Sequence, residues 1–355
     1  MPENSCKGSS KPVALHFTRT NGPVDDAIDK LMAQVGDVAH PDIVREIILA
    51  GLKAGQENGG RADLKLMNAS MKEMRFTAKV FGPYREVRKV TVFGSARTRP
   101  DAPLYQMATD LGKKLADAGF MVITGGGPGI MQAANEGAGP ENSFGVNIRL
   151  PFEQKPNPVL VGNPRYISYK YFFNRKVAFL KEADAVVLFP GGFGTLDETM
   201  ESITLLQTGK LYPLPVFLID EPQGTYWDRL FNFLENELSR HGYISPDDFG
   251  LFERVNRSGD AVARIHHFYS RYHSLRYVGD KLAIRMSTPL DPEQVGRLKK
   301  AFADILIPGG DMYLSGPLAD EINEPELAHL SRLVVDFNKR DFGRLRKLVD
   351  AVNDF

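Results

Sequence analysis

The spacing of apolar residues changes twice along this chain, and the changes mark out three parts. Between Pro23 and about Lys79 they recur at helical intervals in three stretches, beginning near Val24, Pro41 and Arg61. Gly36, His40-Pro41 and Asn58-Gly59-Gly60 supply the breaks. From Lys89 onward, short apolar runs alternate with amphipathic segments. The runs at 89–93, 120–124, 144–149, 185–189 and 214–219 read as strands. The segments at 101–118, 129–136, 168–182, 195–208 and 226–239 read as helices. This alternation predicts an α/β domain on a parallel sheet. After Val255 the strands thin out: 281–286, 312–315 and 330–337 stand between helices expected at 260–272, 292–305 and 342–352. The expected division is a helical extension over 1–88, an α/β domain over 89–254 and a smaller α+β appendage over 255–355. The first 11 residues are polar and expected to be disordered.

Composition narrows the function classes. Lys plus Arg equals Asp plus Glu at 44 each, so the chain has no net charge. That argues against a general nucleic-acid or anionic-membrane surface. With 355 residues, one large domain with additions, or two domains, is expected. The single cysteine, Cys6, allows no intrachain disulfide, and together with the lack of a signal pattern it favours the cytoplasm. No apolar run reaches the roughly 20 residues that span a bilayer. The histidines form no HExxH pattern and a lone cysteine rules out thiolate zinc, so no metal or other cofactor is expected.

Candidate chemistry gathers at strand ends. Pro190-Gly191-Gly192-Phe193-Gly194-Thr195-Leu196-Asp197-Glu198 follows the apolar run 185–189 directly. A glycine turn that opens a helix offers backbone N–H groups and a positive dipole end to an anion, with Glu198 nearby. Gly94-Ser95 and Gly125-Gly126-Gly127-Pro128-Gly129-Ile130-Met131 follow two other strands. In an open parallel sheet such ends can converge on one crevice. Neither turn completes G-x-G-x-x-G, which lowers a dinucleotide reading. Pro308-Gly309-Gly310 shares the PGG letters but precedes a strand-like stretch and reads as an ordinary turn.

Each feature also has a plainer reading. Glycine clusters make tight turns, and Thr195-x-x-Glu198 fits a capping box. Leu196, Met200 and Ile203 form the helix's apolar stripe, which puts Glu198 about 200° and Glu201 about 140° away from the sheet. In the preceding helix, Ser168 reads as the N-cap and Phe173, Val177 and Leu180 as the core stripe. Arg175 then projects about 200° from Phe173, with Phe172 and Phe179 on a second apolar side beside it. Alone, Arg175 reads as a solvated or Glu182-paired arginine; two apolar sides hint at a subunit interface.

Together Arg175-Lys176, Ala183-Asp184-Ala185, Pro190-Gly191-Gly192-x-Gly194-Thr195-x-x-Glu198 and the two other glycine turns resemble the Lonely Guy family. Its members are cytokinin-activating nucleoside 5′-monophosphate phosphoribohydrolases, long misnamed lysine decarboxylases. The resemblance covers roughly 90–237 and implies a Rossmann-like fold with helices on both faces of the sheet. It further implies dimers with active sites near the interface, and catalysis by an arginine and a glutamate, here Arg175 and Glu198. Gly191, Gly192, Gly194 and Thr195 would hold a 5′-phosphate. Gly94, Ser95, Gly126, Gly127, Gly129 and Met131 would close around the substrate, with Lys176 and Glu201 as auxiliaries. The regions before Lys89 and after Val255 are absent from short plant members, and the segment 147–154 looks more like larger bacterial relatives.

The implied reaction releases a base and ribose 5-phosphate through a ribosyl cation-like state, which a carboxylate can stabilise. The helix dipole favours an ionised Glu198, which would also orient or activate water. Arg175 would hold the phosphate or a ribose hydroxyl, or position Glu198. A nonenzymatic nucleotide sensor would use the same glycine loops without needing the Arg175–Glu198 pair. A pyridoxal-phosphate lysine decarboxylase would need a placed Schiff-base lysine, which the sequence does not offer. In the appendage, His266 and His273 would share a helix face near His267, but no carboxylate or cysteine stands at ligand spacing. The aromatic run 268–272 is expected to pack on the nucleotide domain or a second subunit.

Overall fold

The computed structural model describes residues 20–57, 60–150 and 155–355. Cys6, the polar tail 1–11, the break residues Asn58-Gly59 and the segment 151–154 lie outside the described residues. The chain divides into two compact units, Met1–Lys72 and Glu73–Phe355. In the first, α1 (Pro23–Val35) and α2 (Pro41–Glu57) bury Ile28 and Leu49, and Arg45 pairs with Asp25. Helix α3 (Arg61–Phe81) runs across the division, so the helical stretch 1–88 is split inside that helix.

The second unit holds two sheets. The larger has seven parallel strands: β1 (Lys89–Phe93), β2 (Met121–Thr124), β3 (Ser143–Ile148), β4 (Tyr166–Tyr169), β5 (Ala185–Leu188), β6 (Val216–Ile219) and β7 (Glu253–Val255). Their order is β4-β3-β2-β1-β5-β6-β7. Strand order therefore reverses between β1 and β5, and a ligand crevice belongs at the carboxyl ends there. The three glycine turns follow β2, β1 and β5, which are neighbours at that reversal.

Alternate side chains along each strand face opposite layers, so the sheet carries two cores. Val90, Val92, Val122, Ala185 and Val187 pack with α4 (Pro103–Asp117), α5 (Ile130–Ala138) and α9 (Ser258–Phe268). Phe93, Ile123, Val186 and Leu188 pack on the other side with α6 (Phe172–Lys181), α7 (Phe193–Gln207) and α8 (Tyr226–Phe233). This is the Rossmann-like α/β sheet with helices on both faces. Residues 234–239 continue α8 as a wider π turn.

The smaller sheet is antiparallel, ordered β10-β11-β9-β8 from β8 (Tyr272–Val278), β9 (Lys281–Met286), β10 (Met312–Ser315) and β11 (Ser331–Val335). Its core includes residues of α10 (Pro292–Ala301) and α11 (Phe342–Asn353). Ala261 and Ile265 of α9 belong to the core of the larger sheet, and the second sheet begins at Tyr272.

Two expectations need correction. Ser168 lies in β4 and is no N-cap; Tyr171 precedes α6. Residues 272–278 form a strand, so His273 shares no helix face with His266. His267 instead meets the Asp354 carboxylate at 3.0 Å. The aromatic run does pack inward: Phe268 and Tyr272 are buried, and the Tyr269 hydroxyl donates to the Asp184 carbonyl at 2.6 Å.

Candidate active site

At the sheet reversal the turns after β1, β2 and β5 are stitched together. The Ser95 N–H donates to the Pro190 carbonyl at 3.1 Å, and the Ile130 N–H donates to the Ser95 carbonyl at 3.0 Å. Gly129 makes that closeness possible: a Cβ there would stand 2.3 Å from the Ser95 carbonyl oxygen, and its φ of +67° suits glycine. The turns line a cavity of about 900 Å³ with Gly94, Ser95, Gly125, Met131, Gly191, Gly192, Gly194, Thr195, Arg175 and Glu198. Asn147, Ile148 and Leu150 from the end of β3, together with Phe172 and Tyr226, close its sides.

The expected binding residues are not all on this wall. Gly126 faces Leu160 and Tyr166, the Gly127 carbonyl accepts from Asn157 Nδ2 at 3.2 Å, and Gly129 packs beneath Ser95. These three shape the turn from behind. Gly125 takes the wall position instead; a Cβ there would lie 2.7 Å from Arg175 Nη2 and 2.7 Å from Met131 Sδ. The guanidinium of Arg175 is therefore laid against bare backbone.

Helix α7 starts at Phe193 with Gly192 as N-cap, so Thr195 sits inside the helix and no Thr195–Glu198 capping box forms. The Thr195 and Leu196 N–H groups donate to the Gly192 carbonyl at 3.0 and 3.1 Å, which leaves Phe193 and Gly194 N–H as the ones at the start of α7 without an intrahelical acceptor, at the positive dipole end beside the cavity. The helix also faces differently from its hydrophobic pattern. Its buried side is Thr195, Glu198, Thr199, Ser202 and Leu206, while Leu196, Met200 and Ile203 are only half-buried. Thr199 and Ser202 satisfy their hydroxyls on carbonyls four residues back, each at 2.7 Å, which lets a polar face go inside. Glu198 is thus 6 % exposed, and its Oε2 is buried without a hydrogen-bond partner. An orphan carboxylate oxygen beside a cavity is costly unless a ligand or solvent meets it.

Helix α6 is rotated likewise. Phe173 and Val177 are exposed, whereas Asn174, Ala178, Phe179 and Leu180 are buried. Arg175 is half-buried; its Nε donates to the Val146 carbonyl at 3.0 Å and its guanidinium lies 5.0 Å from the Phe179 ring centre. It is neither solvated nor paired to Glu182. Lys176 Nζ lies 2.7 Å from Glu201 Oε2, 2.9 Å from Asp197 Oδ2 and 3.8 Å from Glu198 Oε2.

These positions set the protonation of Glu198. Burial pushes its carboxyl up to about 7 against the pull of Lys176 and Arg175, with Glu201 and Asp197 adding repulsion. The dipole argument for a fully ionised Glu198 is therefore overturned by desolvation. Burial lowers Arg175, opposed by Glu198. For Lys176, burial lowers the ammonium pKa, but the bonds to Glu201 and Asp197 outweigh it and raise it overall. A carboxyl whose folded pKa lies above its ordinary 4.5 carries no penalty below that value. Its destabilisation grows as pH rises towards 7 and is complete above it. Glu198→Gln, which mimics the protonated form, should therefore melt higher than wild type at pH 8 and lose that advantage at pH 4. Equal melting shifts at both pH values, followed by differential scanning fluorimetry, would show that Glu198 is not held in its neutral form.

Among the described residues, no cluster of three or more His, Cys, Asp or Glu is arranged to hold a metal ion. No described helix is long and apolar enough to cross a membrane.

Residues 119–265 match the family model described as possible lysine decarboxylase. A cytokinin riboside 5′-monophosphate phosphoribohydrolase from Oryza sativa subsp. japonica is 29% identical over 191 residues, covering 52% of this chain and 75% of that protein. A probable cytokinin riboside 5′-monophosphate phosphoribohydrolase from Arabidopsis thaliana is 30% identical over 164 residues, covering 45% of this chain and 78% of its own length. Among solved structures, the molybdenum cofactor carrier protein of Chlamydomonas reinhardtii aligns with a TM-score of 0.35 at 22% identity, over 50% of this chain and 96% of that one. The chain belongs to the Lonely Guy family.

Proposed function

We propose that this protein hydrolyses the N-glycosidic bond of a purine or cytokinin-type nucleoside 5′-monophosphate, releasing free base and ribose 5-phosphate. The observation that carries the reading is Glu198, a buried carboxylate with an oxygen that accepts no hydrogen bond, standing in the cavity just beyond the glycine cradle of α7. The names of the plant relatives support the same reaction class.

The 5′-phosphate would sit on Gly191, Gly192, Gly194 and Thr195, where backbone N–H groups and the helix dipole favour an anion. The ribose then lies towards Arg175 and Glu198, and the base towards the apolar wall of Met131, Ile148, Leu150 and Phe172. As the C1′–N bond breaks, its electron pair leaves with the base and positive charge develops at C1′. Ionised Glu198 stabilises that charge. Water adds its oxygen to C1′ and gives a proton to Glu198, while the departing base gains a proton from solvent or from that carboxyl. A group with a pKa near 7 can do both at neutral pH. Arg175 remains cationic and holds the phosphate or a ribose hydroxyl.

A lysine-based decarboxylase fits poorly. Among the described residues no lysine lines the cavity, and neighbouring Lys176 is pinned as an ammonium by two carboxylates. Incubation with a panel of nucleoside monophosphates tests the hydrolase directly, by assay of free base and ribose 5-phosphate. Release from none of them would leave a nucleotide-binding sensor.

The same reading includes a second copy of the chain. Phe172, Phe173, Val177 and Phe193, the last 94 % exposed, make an apolar face at the cavity mouth. Such a face is more typical of an interface than of a free surface. Sedimentation as a dimer is expected at micromolar concentration; a monomer there would remove this element.

A further inference from the structure

The N-cap of α6 is Tyr171, whose side chain makes no capping bond. The first turn of that helix is held from outside, by α3. Glu73 Oε1 accepts the Lys170 N–H at 2.6 Å, and Glu73 Oε2 accepts from Asn174 Nδ2 at 2.7 Å. The two donors bracket the start of α6, so one carboxylate ties the chain entering the helix to a side chain of its first turn and places a negative charge at its positive end. Asn174 is 2 % exposed and directly precedes Arg175. The last turns of α3 are themselves seated firmly. Thr77 Oγ1 meets the Tyr169 hydroxyl at the end of β4, and Phe81 stacks on Phe144 of β3 at 4.3 Å. The Arg175 guanidinium bonds to the next-but-one residue of that same β3, Val146.

We infer that Glu73, which lies outside the family-matched segment, is a positioning residue for Arg175. Its carboxylate fixes the first turn of α6, and that turn sets where the guanidinium lies against Gly125. The inference rests on the role proposed above for Arg175. Without Glu73, the Lys170 N–H and the Asn174 amide lose their acceptor. The turn is then free to shift, and a displacement of about 1 Å at a reacting centre can cost on the order of a hundredfold in rate.

A double-mutant cycle tests this. Wild type, Glu73→Ala, Arg175→Ala and the double variant are assayed for kcat and KM on the best monophosphate of the panel, with melting temperatures recorded. Glu73→Ala is expected to lower kcat by about ten- to a hundredfold. In the Arg175→Ala background the same substitution should cost less than about threefold, because the residue it positions is already gone. Glu73→Gln, whose amide can still accept one bond and offer the other to Asn174 Oδ1, should recover much of the rate. It also stands in if the alanine variant does not fold. An unchanged rate in Glu73→Ala, or an equal loss with and without Arg175, would overturn the inference. If wild-type protein hydrolyses no monophosphate, the hydrolase reading fails separately. The cycle is then read on the affinity for adenosine 5′-monophosphate by calorimetry, where coupling between the two sites supports the positioning role and its absence overturns it.

Discussion

Glu198→Gln should bind nucleotide nearly as wild type does and lose turnover by about 10²–10⁴-fold, the usual weight of a positioned acid–base group. The amide keeps the shape of a side chain that is only 6 % exposed, so packing and the cradle of α7 survive. It carries no charge for the developing cation and takes no proton from water. Lys176, 3.8 Å from the carboxylate, stays tied to Glu201 and Asp197. The loss therefore belongs in kcat, with KM little changed. In the wild type, kcat/KM should fall as pH drops below about 7, where burial leaves the carboxyl half protonated. That acidic limb should vanish from the residual activity of the variant. Wild-type turnover in Glu198→Gln would reduce Glu198 to a structural residue of the helix.

The sheet was legible because its strands are buried on both sides. Runs such as Val90-Thr91-Val92-Phe93 and Ala185-Val186-Val187-Leu188 leave little other reading between glycine turns. Tyr166–Tyr169 was missed because it alternates, with Tyr166 and Ser168 half-buried, and runs on into a helical pattern. Tyr272–Val278 carries no strand signal of its own for a similar reason: it follows the amphipathic segment 260–272, and only pairing with β9 decides its state.

Helix facing failed where function intervened. In α7 the apolar stripe Leu196, Met200 and Ile203 looks like the core side, yet Glu198, Thr199 and Ser202 are more deeply buried. Threonine and serine bonds to carbonyls are invisible to a hydropathy pattern, as is the value of a buried acid to a cavity. In α6 the apolar residues Phe173 and Val177 point out, which a single chain gives no reason to do. The glycine turns, Arg175 and Glu198 were recognisable as linked motifs along the sequence. Asn147, Tyr226 and Glu73 were not, because each owes its place to contacts between distant elements. Glu73 and Asn174 are 101 residues apart.

Removing the 5′-phosphate from the substrate should cost nearly as much as removing the carboxylate. The Gly191–Thr195 turn offers an anion free N–H groups and the positive dipole end at the start of α7, and Arg97 and Arg175 line the same cavity. Hydrogen bonds to a charged group contribute about 1.5–3 kcal/mol each, and two of them correspond to about 10²–10⁴ in kcat/KM. Part of this should appear in kcat. The phosphate is remote from C1′, and its binding serves to align the ribose against Glu198 and Arg175, so a nucleoside that enters the cavity would sit there loosely. The comparison is adenosine against adenosine 5′-monophosphate under identical conditions, with release of adenine followed for both. Inorganic phosphate should compete with the monophosphate, because it can occupy the same cradle. Equal kcat/KM for nucleoside and nucleotide would mean that this glycine turn is structural, and that the substrate is anchored by its base or sugar alone.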